Sequence, residues 1–272
     1  MVDLKTNLSE WETLKRASAH NELIPTLNCQ QFDTDKLVLT LISDEHIGSR
    51  YYDENLHKEI LEDCYENKSP IILLGDEVET ATRDSVGAGV YEQDEILEKQ
   101  LDHFYHLYQP LAEEGLILGI HPGNHEQRIY NSSGLNLTKV MAKQLGIKYL
   151  GWGKMHYFRV GKQGYTLYTT HGASGARMPH TKIKGVLDLA NLVEAEIYAM
   201  GHLHQLSHHI RNYYTPNLKN KKVDEAQKHF LLTGSYLSHW GSYGHMKSYE
   251  PMRKGSPKIK LHGDKHMIRV SL

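Results

Sequence analysis

The chain has 272 residues, 39% hydrophobic and 24% charged, with a formal net charge of −2. These values exclude a disordered polymer, a fibrous repeat and a disulfide-stapled miniprotein, and they allow one large domain or two small ones with a core of their own. Two cysteines, Cys29 and Cys64, stand in no CxxC pair, against nineteen histidines. A thiolate zinc site therefore has no support, whereas imidazole and carboxylate are the ligands of hydrolytic metal sites. No apolar run approaches membrane-spanning length and the polar start lacks a signal peptide's apolar stretch, so we expect a cytoplasmic protein with no membrane partner. From Arg211 onward twelve Lys/Arg face four Asp/Glu, which fits a solvated basic face or a surface for an anionic partner.

In chain order, "LSEWETLKRASAH" (8–20) predicts a helix within an N-terminal extension, residues 1–35, packed on a single domain spanning 36–272. "KLVLTLIS" (36–43), "PIILLG" (70–75), "GLILGI" (115–120), "YTLYTT" (165–170) and "AEIYAM" (195–200) are short, apolar and rich in Leu, Ile, Tyr and Thr, as buried strands are. Between them, residues 91–114 carry Ile96, Leu97, Leu101, Phe104 and Leu107 or Tyr108 near a helical period that Pro110 should disturb. Residues 136–146 place Leu137, Val140, Met141 and Leu145 on one helical face, with Gly146 as a cap. Alternating strands and helices predict a layered α/β domain with a largely buried sheet.

The polar residues directly after each strand are Asp44-Glu45-His46, Asp76, Gly123-Asn124-His125-Glu126, His171-Gly172 and Gly201-His202-Leu203-His204. Ligands in such sheets bind beyond the carboxyl ends of the strands, where loops from distant parts of the chain converge. One Asp after a strand is an ordinary cap, and one His an ordinary hydrogen-bonded residue. Five strand ends delivering ligand-type side chains are hard to attribute to capping, and they should meet at one site. If those segments are extended, His202 and His204 face the same way across Leu203, as do Asp44 and His46 across Glu45. Gly123 and Gly201, lacking Cβ, would let the backbone approach the site closely. The set exceeds what one metal ion needs and suits two.

In this order, "SDEHIG", "LLGDEVE", "PGNHEQR", "THGAS" and "MGHLHQ" resemble the motifs of the calcineurin-like metallophosphoesterases. The resemblance covers residues 36 to 206. It implies a β-sandwich flanked by helices with a dinuclear metal site at the strand ends. It further implies that Asp44, His46 and His204 hold one ion, that Asn124, His171 and His202 hold the other, and that Asp76 bridges them. Two such divalent ions bind phosphoryl oxygens and lower the pKa of bound water, so metal-bound hydroxide attacks phosphorus without a protein nucleophile. Mn²⁺ is the favoured metal, with Fe, Zn²⁺, Co²⁺ and Ni²⁺ permitted by the same ligand set. His125, in the family's catalytic position, would protonate the leaving oxygen as general acid. Arg128 suits a phosphate or a surface salt bridge.

Ile47 after the first motif, "GDEVETA" as the second and Pro122 before the third depart from the protein Ser/Thr phosphatase branch, and "SDEHIGS" with "GHLHQ" looks more like the DNA-repair exonuclease and phosphodiesterase branches. Glu79 stands where double-strand-break nucleases often carry a histidine, and the acidic balance disfavours a duplex. In the Gly, Ser, Tyr and His-rich loop near the end, Tyr236, Trp240 and Tyr243 with Arg253 could stack on and pair with a base or short strand. The resulting expectation is a metal-dependent phosphodiesterase or nuclease acting on nucleic acid ends, single-stranded DNA or RNA, or nucleotides. A phosphomonoesterase is the alternative within the class, and a non-catalytic scaffold of this fold the alternative outside it.

Overall fold

The computed structural model describes residues 26–82, 85 and 89–272, together with Ser9 and Glu12; the helix expected over 8–20 otherwise lies outside the described residues. Among the described residues eleven strands form two sheets. One sheet orders β1 (Asn28–Phe32), β5 (Gly153–Val160), β6 (Gln163–Thr170), β7 (Ile197–Met200), β9 (Lys222–Leu232) and β8 (Ser207–Asn217). The other orders β11 (Ile268–Ser271), β10 (Lys258–His262), β2 (Lys36–Ile42), β3 (Ile71–Leu73) and β4 (Ile117–Ile120). The five apolar runs read from sequence are β2, β3, β4, β6 and β7. Residues 28–32, placed by sequence in the extension, instead form an edge strand paired in parallel with β5.

The absence of period-two alternation in these runs has a packing cause. Leu39, Leu41, Ile72 and Leu74 point inward against Phe158, Tyr165, Leu167, Ile197 and Leu231 of the other sheet. Ile42, Ile71 and Leu73 point outward and are covered as well, by Leu61 of α1 (Glu54–Glu66), Phe104 and Tyr108 of α2 (Leu97–Glu113) and Met141 of α4 (Leu137–Leu145), which follows α3 (Asn124–Ser133). The opposite outer face packs Tyr198, Phe230 and Leu232 under α5 (Pro179–Asp188) through Val186. The architecture is a β-sandwich with helices on both outer faces, so strands apolar on both sides are what the sequence must show.

Two helix expectations need correction in detail. Helix α2 runs through Pro110 to Glu113, because Pro110 lies in its last turn, where the lost N–H removes only one bond. Ile96 is exposed at the residue before that helix, and Val140 of α4 is exposed, whereas Leu137, Met141 and Leu145 are buried and Gly146 caps the end at φ 68°.

The order of strands sets the site. β2, β3 and β4 are mutually parallel in one sheet, and β6, β7 and β9 in the other. The loops after β2 and β3 are then tied by Asp44 N–H to Gly75 O (3.0 Å), His46 N–H to Asp76 O (3.1 Å) and Ile47 N–H to Glu77 O (2.9 Å).

Candidate metal centre

The seven ligand residues expected from sequence come together as two adjacent clusters. Asp44, His46 and His204 form one, and Asp76, His171 and His202 the other, each with one ligand atom per residue within 4.8 Å of the others. Asn124 joins the second cluster: its Oδ1 lies 3.0 Å from His171 Nε2 and 2.6 Å from His202 Nδ1. Asp76 Oδ2 lies 3.3 Å from His171 Nε2. In the first cluster, His204 Nε2 is 3.1 Å from Asp44 Oδ1 and 3.3 Å from His46 Nε2.

The backbone conformation of these ligands differs from the expectation of extended segments. Asp44 (φ 55°), His46 (φ 54°), Asp76 (φ 58°), His202 (φ 67°) and His204 (φ 49°) are all left-handed. The alternate pairs converge because the chain curls at each ligand, a conformation that costs of order 1 kcal/mol or more per residue and concentrates at functional sites. The glycines behave as expected: a Cβ at Gly123 would meet Asp76 Oδ1 at 2.1 Å, and one at Gly201 would meet Ser43 Oγ at 2.3 Å.

Hydrogen bonds behind the ligands fix their tautomers. His171 Nδ1–H donates to Leu74 O (2.8 Å) and His202 Nε2–H to Ser174 O (3.0 Å), which leaves His171 Nε2 and His202 Nδ1 as the coordinating atoms. His46 Nδ1 faces Glu79 Oε2 at 3.1 Å, directing its Nε2 to the cluster. His202 N–H and Ser43 Oγ–H bind Asp44 Oδ2, while the buried Oδ1 of Asp44 accepts no hydrogen bond among the described residues. Glu126 is 2% exposed and binds the N–H groups of Gly123 (2.9 Å), Asp76 (3.1 Å) and Val78 (3.2 Å), so it locks the second loop to the third. Sequence reading assigned no role to Glu79 or Glu126; Glu126 stands inside a quoted motif and Glu79 three residues beyond Asp76, which was the available signal.

The charges fit cations. Burial alone would raise the Asp44 carboxyl, but His204 beside it brings it down to about 2. Burial likewise opposes ionisation of Asp76, yet His171 and His125 hold it well below the carboxylate range. Burial opposes charge on His171, and the carboxylates of Asp76 and Asp44 overcome it and lift the imidazole to about 9. An orphaned carboxylate oxygen, two facing Nε2 atoms and a donor set of carboxylate, amide oxygen and imidazole suit divalent ions of the Mn²⁺ to Zn²⁺ range.

His125 sits beside these clusters. Its Nδ1–H donates to Glu79 O (2.7 Å), its N–H binds Asp76 Oδ1 (2.8 Å), and its Nε2 accepts from Arg128 Nη2 (2.9 Å) while lying 3.9 Å from Asp76 Oδ2. Burial lowers its pKa to about 4. Arg128 also reaches Glu79 O at 3.2 Å, so it is held in the site rather than free on the surface.

A pocket of about 430 Å³ opens over the clusters, lined among others by His125, Arg128, Tyr51, Lys182, Leu237 and Tyr249. The expected aromatic platform is corrected here. Tyr236 is fully buried in the core, its hydroxyl 2.6 Å from Ser256 Oγ, because the loop after β9 passes under the sheet end. Trp240 is 80% exposed and stacks on His245 outside the pocket, and Arg253 is exposed and does not line it. Tyr243 begins a short helix, α6 (Tyr243–Met246), and its side chain lies outside what is described.

No family model and no curated protein matches the chain. Solved structures with a similar arrangement include a predicted phosphoesterase from Streptococcus pneumoniae, 14% identical over 87% of this chain and 97% of that one, at a TM-score of 0.36. Vacuolar Protein Sorting 29 from Cryptosporidium parvum is 14% identical over 87% and 97%, at 0.43. The zinc complex of the same protein from Entamoeba histolytica is 12% identical over 86% and 97%, at 0.38. Likeness at that level carries no weight for the site. Among the described residues no helix is long and apolar enough to cross a membrane.

Proposed function

We propose that the chain is a dinuclear metal-dependent phosphoesterase, with Mn²⁺ the favoured metal, acting as a phosphodiesterase on nucleic acid ends, short single strands or nucleotides in the cytoplasm. The observation that carries this reading is the adjacency of two three-residue ligand clusters, Asp44/His46/His204 and Asp76/His171/His202, with His125 hydrogen-bonded through its backbone to Asp76. Divalent ions held there would supply Lewis acidity toward phosphoryl oxygens and a nucleophile from water near neutral pH.

The chain's own residues do the rest. Asp76, locked from behind by Glu126, would offer its carboxylate to the ions, as the motif resemblance implies for a bridging ligand. Arg128 offers its guanidinium to a phosphoryl oxygen, which matches its planar fork. In doing so it gives up His125 Nε2, and the incoming negative charge raises that imidazole's affinity for a proton, which Nε2 takes from solvent and delivers to the leaving oxygen. The carbonyl of Glu79 holds Nδ1–H throughout and keeps Nε2 aimed into the pocket. A volume of about 430 Å³ suits a nucleotide-sized substrate or a strand end better than a duplex interior.

The test is hydrolysis of bis-p-nitrophenyl phosphate and p-nitrophenyl phosphate by metal-stripped protein, with and without Mn²⁺, beside Asp76→Asn and His125→Ala. We expect the diester to be cleaved only with metal, Asp76→Asn to be inactive, and His125→Ala to lose about a hundredfold or more in kcat with its metals retained. Preference for the monoester would move the reading to a phosphatase. Silence on both esters with metals bound would sink the catalytic reading in favour of a scaffold.

A further inference from the structure

The pocket over the ligand clusters holds a lysine that, among the described residues, no hydrogen bond or ion pair ties down. Lys182 lies on α5, a turn after Pro179, and its side chain lines the same pocket as the two ligand clusters. It is half-buried, and burial lowers its pKa while Glu250 acts on it only through space. Among the described residues its ammonium makes no hydrogen bond and no ion pair. A partly desolvated ammonium without a partner is costly, and such groups are retained where a ligand completes them. Of the two Lys or Arg side chains that line the pocket, the other, Arg128, is engaged with His125 and Glu79, and Glu92 and Glu250 are acidic. Lys182 is thus the cation left for a second anion.

That anion is not the group being cleaved. The scissile phosphoryl is served by the ligand clusters and by Arg128, and Lys182 contacts neither His125 nor Arg128. The pocket also has an aromatic and apolar part. Tyr249, Leu237, Met252 and Tyr51 line it, and Arg177, from the loop that leads into α5, stacks over the Tyr249 ring at 5.6 Å. A planar ring fits such a wall, because base-on-aromatic stacking tolerates any base.

We propose that Lys182 binds a second phosphoryl group of the substrate, so that the site selects nucleotides carrying a further phosphate beyond the one at the metal centre. This rests on the proposed metal-dependent phosphoesterase reading and narrows its substrate class from any small phosphodiester to one flanked by another phosphate, as in a strand end or a dinucleotide bearing a terminal phosphate. The ring lies on the Tyr249 side, the reacting phosphoryl lies over Asp76 and His125, and the ammonium pairs with the neighbouring phosphate.

The experiment reads equilibrium binding and needs no turnover. Thymidine 3′,5′-bisphosphate and thymidine 5′-monophosphate are titrated calorimetrically into Mn²⁺-loaded wild type, Lys182→Met, Lys182→Gln and Lys182→Arg, with thermal melts as the check on folding. We expect the wild type to prefer the bisphosphate by about tenfold, both neutral variants to bring the ratio toward one, and Lys182→Arg to keep it. A wild-type ratio near one overturns the proposal, as does a ratio that survives in folded Lys182→Met and Lys182→Gln. If the wild type binds neither nucleotide the proposal is also overturned, and turnover of bis-p-nitrophenyl phosphate by the same sample shows whether the phosphoesterase reading stands without it.

Discussion

Two groups of buried histidines lie a few strands apart and answer opposite demands. In the interior of the first sheet, a single line of donors and acceptors runs from Lys148 Nζ to Asn28 Oδ1 (2.9 Å), Asn28 Nδ2 to His156 Nδ1 (3.1 Å), His156 Nε2–H to Thr169 Oγ1 (2.7 Å), Thr169 O–H to His121 Nε2 (2.7 Å) and His121 Nδ1–H to Gly151 O (2.6 Å). Each nitrogen has one partner of the complementary kind, so these rings are satisfied as neutral imidazoles, and burial lowers His121 to about 4 and His156 to about 3. At the metal centre one nitrogen of His171 is satisfied by a carbonyl, and the other faces only acceptors, Asp76 Oδ2 and Asn124 Oδ1. There the proton is held up to about 9. Counting histidines does not separate the two groups. The sign of what surrounds the second nitrogen does, since acceptors converging on an acceptor leave room for a cation.

The sharpest test of that contrast exchanges the two sites' fates. His171→Ala should lose several orders of magnitude in diester hydrolysis and at least one bound metal by elemental analysis, with the melting temperature of the metal-free protein unchanged or raised, because it removes a group held for a ligand rather than for the fold. His121→Ala should do the reverse. It leaves the Thr169 hydroxyl proton and the Gly151 carbonyl without their partner, Thr169 keeping only the bond it accepts from His156, so about 2–4 kcal/mol of stability should go in urea unfolding while the folded fraction keeps its metals. Loss of metal in His121→Ala with unchanged stability would break the comparison.

The same contrast predicts a dependence of stability on pH. His57, His121 and His156 are depressed by burial to about 3, 4 and 3, against an unfolded value of about 6.5. Between those values the unfolded chain binds more protons than the native one. Stability from these three groups is therefore full above about pH 6.5 and declines as pH falls through the window toward 4, by at most about 1.4 kcal/mol per group per pH unit. Melts of the metal-free protein from pH 7 to 4 should show that slope, and His121→Gln should make it shallower.

The legible part of this molecule is where chemistry follows directly after an apolar run. Asp44, Asp76, Asn124, His171, His202 and His204 could be read because each follows a short apolar strand that is buried on one or both faces and therefore conspicuous. β1, β5 and β8 escaped notice because they are edge or half-exposed, mixing Gln, Lys, Arg and Tyr with few apolar residues. His121 and His156 escaped for a different reason: their partners Asn28, Lys148 and Thr169 are scattered in sequence and meet only through pairing of β1 with β5 and β5 with β6. Tyr236 misled because a loop rich in Gly, Ser and Tyr suggests exposure, whereas the ring fills the core between His57 and the sheet, 4.7 Å from that imidazole. The left-handed ligands could not be foreseen from spacing, since curled and extended segments both satisfy an i, i+2 pair.

Those five curled positions, at Asp44, His46, Asp76, His202 and His204, also constrain how this sequence can drift. Aspartate, histidine and asparagine are the side-chain-bearing residues that tolerate a positive φ best. A single base change converts an aspartate or histidine codon to an asparagine codon, so each position has a neighbour in mutational space that preserves the loop and surrenders the charge or the imidazole. Catalysis can be lost there one nucleotide at a time while the scaffold survives, and purifying selection on metal binding must act on the ligands themselves, because selection on folding would let them go.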